Sequence, residues 1–317
     1  MLKLYGNKAS TFAVLIILTF AISFPGIASS AKATTQNIGW TAHPLFLATP
    51  VSTLGADPLS PTQIITAYDL ASITKGAGRT IAIVDAYDDP TIAKDLANFD
   101  VRFNLPAANF TEQKMSAHIS SNSDWAIEIS LDVEWAHAIA PDAKILLVEA
   151  TSASLTDLMS AVNYAKSQPG VVAVSMSWGS NEFSSQTQPA YDGAFNSTTG
   201  IVFFASSGDN GSGVIWPSSS SNVVSVGGTT LNINSTTGAV ISETAWSKSG
   251  CGVSTYESTP TYQSSYGVNY GKRAIPDVSY DADPNTGFFV YDSTPYENET
   301  GWWDVGGTSA GAPQWAA

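Results

Sequence analysis

The chain has 317 residues, 44% hydrophobic and 13% charged, which suits one large single-core domain or two modest ones and excludes a disordered protein. Its 27 acids outnumber 13 bases, and the net charge of −14 argues against nucleic acid or an anionic membrane as partner, since both attract basic patches. Few bases also mean little positive self-repulsion once the acids are protonated, so the composition reads as acid-tolerant.

In chain order, residues 1–31 read as a secretory signal. Lys3 and Lys8 precede the apolar run Phe12 to Phe24, then Pro25-Gly26 and small residues through Ala31. The run is short for a membrane span, although an uncleaved N-terminal anchor stays open. Residues 32–57 are small and polar without periodicity, a linker or light N-terminal arm. From Leu59 the text becomes globular, with a short helix from Ser60 through Tyr68 opened by Pro61. Thr80 to Asp85 is a nearly all-apolar run, the mark of a strand buried on both faces.

Helices are expected over Pro90–Phe103, Ser123–Ala140, Ser154–Ser167 and 189–197. Strands are expected over Lys144–Glu149, Val171–Ser177, Ile201–Ser206 and Val223–Gly227. Apolar strands alternating with helices imply an α/β fold, a mostly parallel sheet covered on both faces, with ligands at the C-terminal strand ends. From about 229 to 300 the chain turns to Thr/Asn/Gly-rich hairpins and loops. The helix after Pro313 reads as cut short, so the C-terminal end of the domain is expected to be missing. Cys251, the single cysteine, allows no intrachain disulfide and is expected to be a small buried residue. Sequons at Asn109, Asn196, Asn234 and Asn298 fit an exported, glycosylated surface.

For chemistry, Gly306 to Pro313 holds Ser309 among small residues before an early helical proline. That composition suits a nucleophile, and equally a plain Gly-rich turn opening a helix. A serine nucleophile needs a base, yet none of His43, His118 and His137 stands in a His-Gly-Thr context. No His-Glu-x-x-His, paired cysteine or EF-hand loop suggests a metal. Carboxylates are the alternative. Glu128 and Asp132 stand at i,i+4 on one face of the helix expected over Ser123–Ala140, which as a bare pattern is also common on solvated helix faces. Glu134 points elsewhere and is expected at the surface. Asp209, in Ser207-Gly208-Asp209-Asn210-Gly211, follows a strand end and fits either a turn or a carboxyl at the sheet's mouth. Asp85, also at a strand end, is a fourth acid.

Several motifs in order resemble the sedolisins, the serine-carboxyl peptidases that share the subtilisin fold. They are Leu59-Ser60-Pro61-Thr62 through Tyr68; Glu128 to Ala140; Ser175 to Gly179; Ser207 to Gly211; Arg273 to Ser279; and Gly307-Thr308-Ser309-Ala310. The resemblance implies a peptidase domain over residues 58–317 that cleaves polypeptides in acid through an acyl-enzyme. Ser309 would be the nucleophile, Glu128 the base and Asp132 its tuning partner. Asp209, protonated, would take the oxyanion-donor position. Asp85 and Trp178 would extend the hydrogen-bond chain behind the acid pair, and Ser177, Trp178 and Gly179 would align substrate backbone as an added strand.

The resemblance also implies calcium, with a ligand loop that would lie beyond residue 317, so no cofactor is expected within this sequence. A long inhibitory prosegment is usual in the family. Only residues 32–57 separate the signal from the domain here, so control by an attached inhibitor is not expected. A secreted location follows from the signal; oligomeric state is silent. The alternatives are a neutral, His-dependent subtilisin-type protease, and an inactive or truncated relative serving as a secreted binding protein.

Overall fold

Thr80–Ala86 (β3) is buried at every position because strands cover both its edges and helices both its faces. The computed structural model describes residues 39–53, 57–197 and 200–317. The arm contributes β1 (His43–Pro44) and β2 (Leu47–Pro50). The strands after β3 are β4 (Asn109–Lys114), β5 (Lys144–Ala150), β6 (Val171–Met176), β7 (Trp178–Asn181), β8 (Val202–Ser206) and β9 (Ile215–Trp216). Beyond them come β10 (Val224–Ile233), β11 (Val240–Ala245), β12 (Gly252–Val253), β13 (Ala274–Ile275), β14 (Val278–Asp281), β15 (Phe288–Tyr296) and β16 (Glu299–Gly306). The α-helices are α1 (Pro61–Ala67), α2 (Ile92–Phe103), α3 (Ser123–Ile139), α4 (Leu155–Ser167), α5 (Thr261–Ser265) and α6 (Gly311–Ala316).

The main sheet has eight strands in the order β11-β10-β8-β6-β3-β5-β4, with β14 beside β10. All its neighbours pair in parallel except the β10–β11 hairpin. Side chains alternate across a strand, and β3 makes the sorting visible. Ala82, Val84 and Ala86 pack with Leu155, Leu158 and Val162 of α4, while Ile81 and Ile83 pack with Ile129 and Val133 of α3. Asp85 belongs to the second set by parity, so it faces α3.

Helix α3 is apolar on every side, with Trp125, Ile127, Ile129, Leu131, Val133 and Trp135 all buried, as expected of a helix running through a core rather than over it. Asn122 caps its start by accepting from the N–H groups of Asp124 and Trp125.

Four expectations need correction. Residues 189–197 hold only a 3₁₀ turn, Asp192–Phe195, because Pro189 and Gly193 interrupt a regular helix. The β4 strand was not foreseen: it is an edge strand, polar in sequence and half-covered, without a buried strand's apolar run. Residues 278–281 are not loop but a parallel strand of the main sheet. Cys251 is exposed rather than buried.

The segment read as a linker is ordered over 39–53, and its strands pair with distant partners: β1 with β7, and β2 with β16. Residues 1–31, read as a signal, lie outside the described residues. Among the described residues, no helix is long and apolar enough to cross a membrane.

Candidate active site

The acids converge because two independent periodicities point the same way. Glu128 and Asp132 occupy one face of α3, and Asp85 occupies the α3 side of β3; all three are fully buried. The Asp132 carboxylate accepts the Ser177 hydroxyl at 2.8 Å. Neither oxygen of Asp85 has a hydrogen-bond partner among the described residues. Trp178 does not reach these acids through its indole, which instead donates to the Val84 carbonyl at 2.6 Å and ties β7 to β3.

Ser309 sits on a 3₁₀ turn, Thr308–Ala310, between the end of β16 and α6, and α3 packs against that turn. Gly307 makes the turn possible. Its φ of 120° is a region that side chains rarely adopt, and an added Cβ would fall 2.6 Å from Asp209 Oδ2 and 2.7 Å from Phe46 Cα. The Ser309 hydroxyl donates to the Ser177 carbonyl at 3.2 Å. No conventional hydrogen bond reaches the Glu128 oxygens, yet the Ser309 hydroxyl and the Leu45 N–H lie near enough to favour its ionised form. A base and nucleophile held slightly apart are common before a reacting group is in place.

Asp209 lies just past the C-terminal end of β8, an interior strand of the main sheet. Its Oδ1 accepts the Thr308 N–H at 2.9 Å and the Thr308 hydroxyl at 2.7 Å. Its Oδ2 is shielded and has no partner among the described residues. One carboxyl oxygen is thus fixed while the other lies over Gly307, two residues before the nucleophile.

Burial controls the electrostatics. It drives Glu128 well above the usual carboxylate range, helped by Asp85 and opposed by the Ser309 hydroxyl. Asp132 is raised by burial, then by Asp85 and Glu128, against the pull of the Ser177 hydroxyl. Burial alone pushes Asp85 up to about 8. Like charges this close cannot all ionise in a dry site, so the three carboxyls share protons and titrate as a group. Burial pushes Asp209 up to about 6, although the two Thr308 donors pull it down.

The arm crosses this site. Trp40 packs edge-on against Trp178, Phe183 and Trp216 at 6.4, 6.2 and 5.7 Å, and its indole donates to the Asn181 carbonyl. His43 and Pro44 then pair antiparallel with Gly179 and Trp178. The Leu45 carbonyl accepts the Ser309 N–H at 3.3 Å, and Leu47 pairs with Gly306 beyond the site. His43 and Leu45 line a cleft of about 230 Å³ with Gly179, Ser207, Gly208 and Ile215. Sequence reasoning missed this role entirely. The aromatic Trp40 was its one local signal, and its partners lie more than a hundred residues away.

Glu134 corrects another expectation. It is fully buried and accepts the Tyr291 N–H at 3.0 Å, because α3 has no solvent face on which to put it. Burial raises it well above the usual range. His137 is buried with its Nε2 2.9 Å from the Pro106 carbonyl and 3.2 Å from Asp100, which accounts for it structurally. Two acidic groups among the described residues have cation-compatible spacing. Asp88, Glu112 and Glu149 gather around Lys114, which supplies the opposing charge. Asp89, Asp95 and Asp292 receive hydrogen bonds from Thr91, Ser293 and Thr294. Neither group is assigned to the calcium that the resemblance implies.

Comparison with known proteins bears on this geometry. The subtilase family profile matches residues 114–317. Sedolisin of Pseudomonas sp. (strain 101) is 29% identical, over 80% of this chain and 48% of its own length. Kumamolisin of Bacillus sp. (strain MN-32) is 30% identical, over 81% of this chain and 51% of its own. The chain spans about half the length of these curated relatives. A solved structure of Pseudomonas sedolisin, a serine-carboxyl proteinase complexed with two molecules of pseudo-iodotyrostatin, matches with a TM-score of 0.72 and 31% identity. That match covers 83% of this chain and 80% of the other, so the fold is subtilisin-like.

Proposed function

This chain belongs to the subtilase family, and within it to the sedolisins, and we propose that it is a secreted, acid-active serine endopeptidase. The observation that carries this reading is the gathering of a buried carboxyl group, Ser309 and, over Gly307, the Asp209 Oδ2 that lacks a partner among the described residues. A hydroxyl with a carboxylate base and two prospective oxyanion donors, the Ser309 N–H and a protonated Asp209, is equipped for acyl transfer.

Ser309 Oγ attacks a substrate carbonyl as Glu128 takes its proton. Asp132 and Asp85 sit behind Glu128; while protonated they leave the negative charge on Glu128, where the base needs it. The oxyanion that forms accepts from the Ser309 N–H and from Asp209. Glu128 then returns the proton to the leaving amine, and water releases the acyl group by the same route. Asp209 donates only while protonated, and the base must be ionised, so the two requirements bracket an acidic working range. An extended peptide would add as a strand along Trp178–Gly179, the edge that β1 occupies. The His-dependent alternative finds no support at Ser309, whose hydroxyl donates to the Ser177 carbonyl and to no histidine among the described residues, while His137 is engaged by Pro106 and Asp100.

The test is hydrolysis of an unfolded protein substrate at pH 4 by the wild type and by Ser309→Ala. The variant is expected to lose about 10⁴-fold or more, the scale on which a lost nucleophile acts. Hydrolysis by the variant at the wild-type rate would rule the mechanism out. A folded wild type that binds peptides without cutting them would favour the binding-protein alternative.

A further inference from the structure

Ser177 stands between the end of β6 and the start of β7, where the main sheet hands over to the Trp178–Gly179 edge, and it is fully buried. Two of its polar groups meet the catalytic machinery. Its carbonyl accepts the Ser309 hydroxyl at 3.2 Å. Its own hydroxyl lies 2.8 Å from Asp132 Oδ1 and 3.3 Å from the Ser309 carbonyl oxygen. A hydroxyl carries one proton, so it serves one of those acceptors at a time, while its lone pairs stay open to a donor. The charge on Asp132 decides between them. Ionised, Asp132 is the stronger acceptor and takes the proton. Protonated on Oδ1, it donates to Ser177 Oγ, and the Ser177 proton turns to the Ser309 carbonyl. The groups that act on the charge of Asp132 are Asp85 of β3 and Glu128 of its own helix, with Asp209 acting on Glu128. Among the described residues, no cationic side chain acts on Asp132.

We propose that Ser177 is a positioning residue that couples the protonation of Asp132 to the main chain of the nucleophile. The proposal rests on the peptidase reading and adds to it the contact that holds the nucleophile's turn in its working state. In that state the negative charge is on Glu128 and Asp132 is protonated, so Ser177 donates to the Ser309 carbonyl. The turn Thr308–Ala310 is then tied from behind while the Ser309 hydroxyl leaves the Ser177 carbonyl for Glu128. When Asp132 ionises it takes the Ser177 proton, and the Ser309 carbonyl loses that donor.

Ser177→Ala deletes the hydroxyl and keeps the carbonyl, and it acts in two ways. The turn loses its tie, so kcat is expected to fall about 10- to 100-fold while KM, which the inward-facing hydroxyl does not set, stays within about twofold. The bond to ionised Asp132 is charge-assisted and stronger than the neutral bond that replaces it, so losing both favours the protonated carboxyl group. A base that must be ionised then forms only at higher pH. The acid-side limb of the rate profile is therefore expected to move up by about one pH unit. The limb above pH 6, which depends on Asp209, should stay in place.

The experiment measures kcat and KM on a chromogenic peptide from pH 3 to 8 for the wild type, Ser177→Ala and Ser177→Thr, with a melting curve of each at pH 4 to show that it is folded. Ser177→Thr keeps the hydroxyl and is expected to return the acid limb to the wild-type position. If the alanine variant does not fold, Ser177→Cys carries the same test: its weakly donating thiol should move the limb the same way by a smaller step. An acid limb that coincides with the wild type in the folded variant overturns the proposal, because an equal loss of rate at every pH is what packing alone would give. A threonine variant displaced as far as the alanine variant overturns it too. With wild-type hydrolysis intact, either result leaves the peptidase reading standing. A wild type that does not hydrolyse the peptide at any pH overturns both.

Discussion

Substituting asparagine at Asp209 separates hydrogen-bond donation from titration. With its carboxyl pushed up to about 6, Asp209 is about nine-tenths protonated at pH 5 and about one-tenth at pH 7. If the protonated acid is an oxyanion donor, kcat/KM falls about tenfold per pH unit above 6. An amide has nearly the same shape. Its oxygen can keep accepting from the Thr308 N–H and hydroxyl, while its nitrogen donates permanently where Oδ2 now points.

Asp209→Asn is therefore expected to lose the fall above pH 6 and keep the acid-side limb, which belongs to the Glu128, Asp132 and Asp85 group. Asp209→Ala removes the donor at every pH and should cost about 10²–10³ in rate, or roughly 3–4 kcal/mol of barrier. The assay is kcat/KM on a chromogenic peptide from pH 3 to 8, after preincubation at pH 4. Superimposable profiles for the wild type and Asp209→Asn would refute the role given to Asp209.

Stability should follow the buried acids. Asp85, Asp281 and Asp292 are pushed up to about 8, mainly by burial, so each fold contribution is fully present below the unfolded pKa near 3.8 and lost as pH rises through about 8. A loss of several kcal/mol over that window implies a melting temperature about 10 °C or more lower at pH 8 than at pH 4. An unchanged or higher value at pH 8 would contradict the signs. Gly307→Ala should cost about 1–3 kcal/mol in backbone strain and crowd the Leu45 carbonyl and Asp209, lowering both melting temperature and peptide hydrolysis. Wild-type values for both would show that the turn tolerates a side chain.

Sequence reasoning served best where the physics is local. The i,i+4 spacing brought Glu128 and Asp132 onto one face, and the apolar run Thr80–Asp85 marked a central strand whose parity turns Asp85 toward them. Glu134 was misread although its signal was present: a helix with apolar residues on every side leaves no face for a solvated acid. The arm was beyond local reading. Strands of two and four residues carry no period, and their partners, Gly179 and Gly306, are set by tertiary packing. Asp209, read from its own stretch of sequence, fitted a turn residue as well as a carboxyl at the sheet's mouth. What distinguishes it, one carboxyl oxygen fixed by Thr308 and the other unpartnered, exists only after residues a hundred positions apart meet.

The most direct measurement is covalent. A peptide ester is mixed with the wild type, Glu128→Gln and Ser309→Ala at pH 4, quenched in acid within milliseconds to seconds, and digested for mass analysis. The acyl group should appear on the peptide containing Ser309 in the wild type, form about 10⁴-fold more slowly in Glu128→Gln, and be absent in Ser309→Ala. An acyl group carried by another residue, or turnover of the ester with Ser309 unmodified at every quench time, would contradict the mechanism.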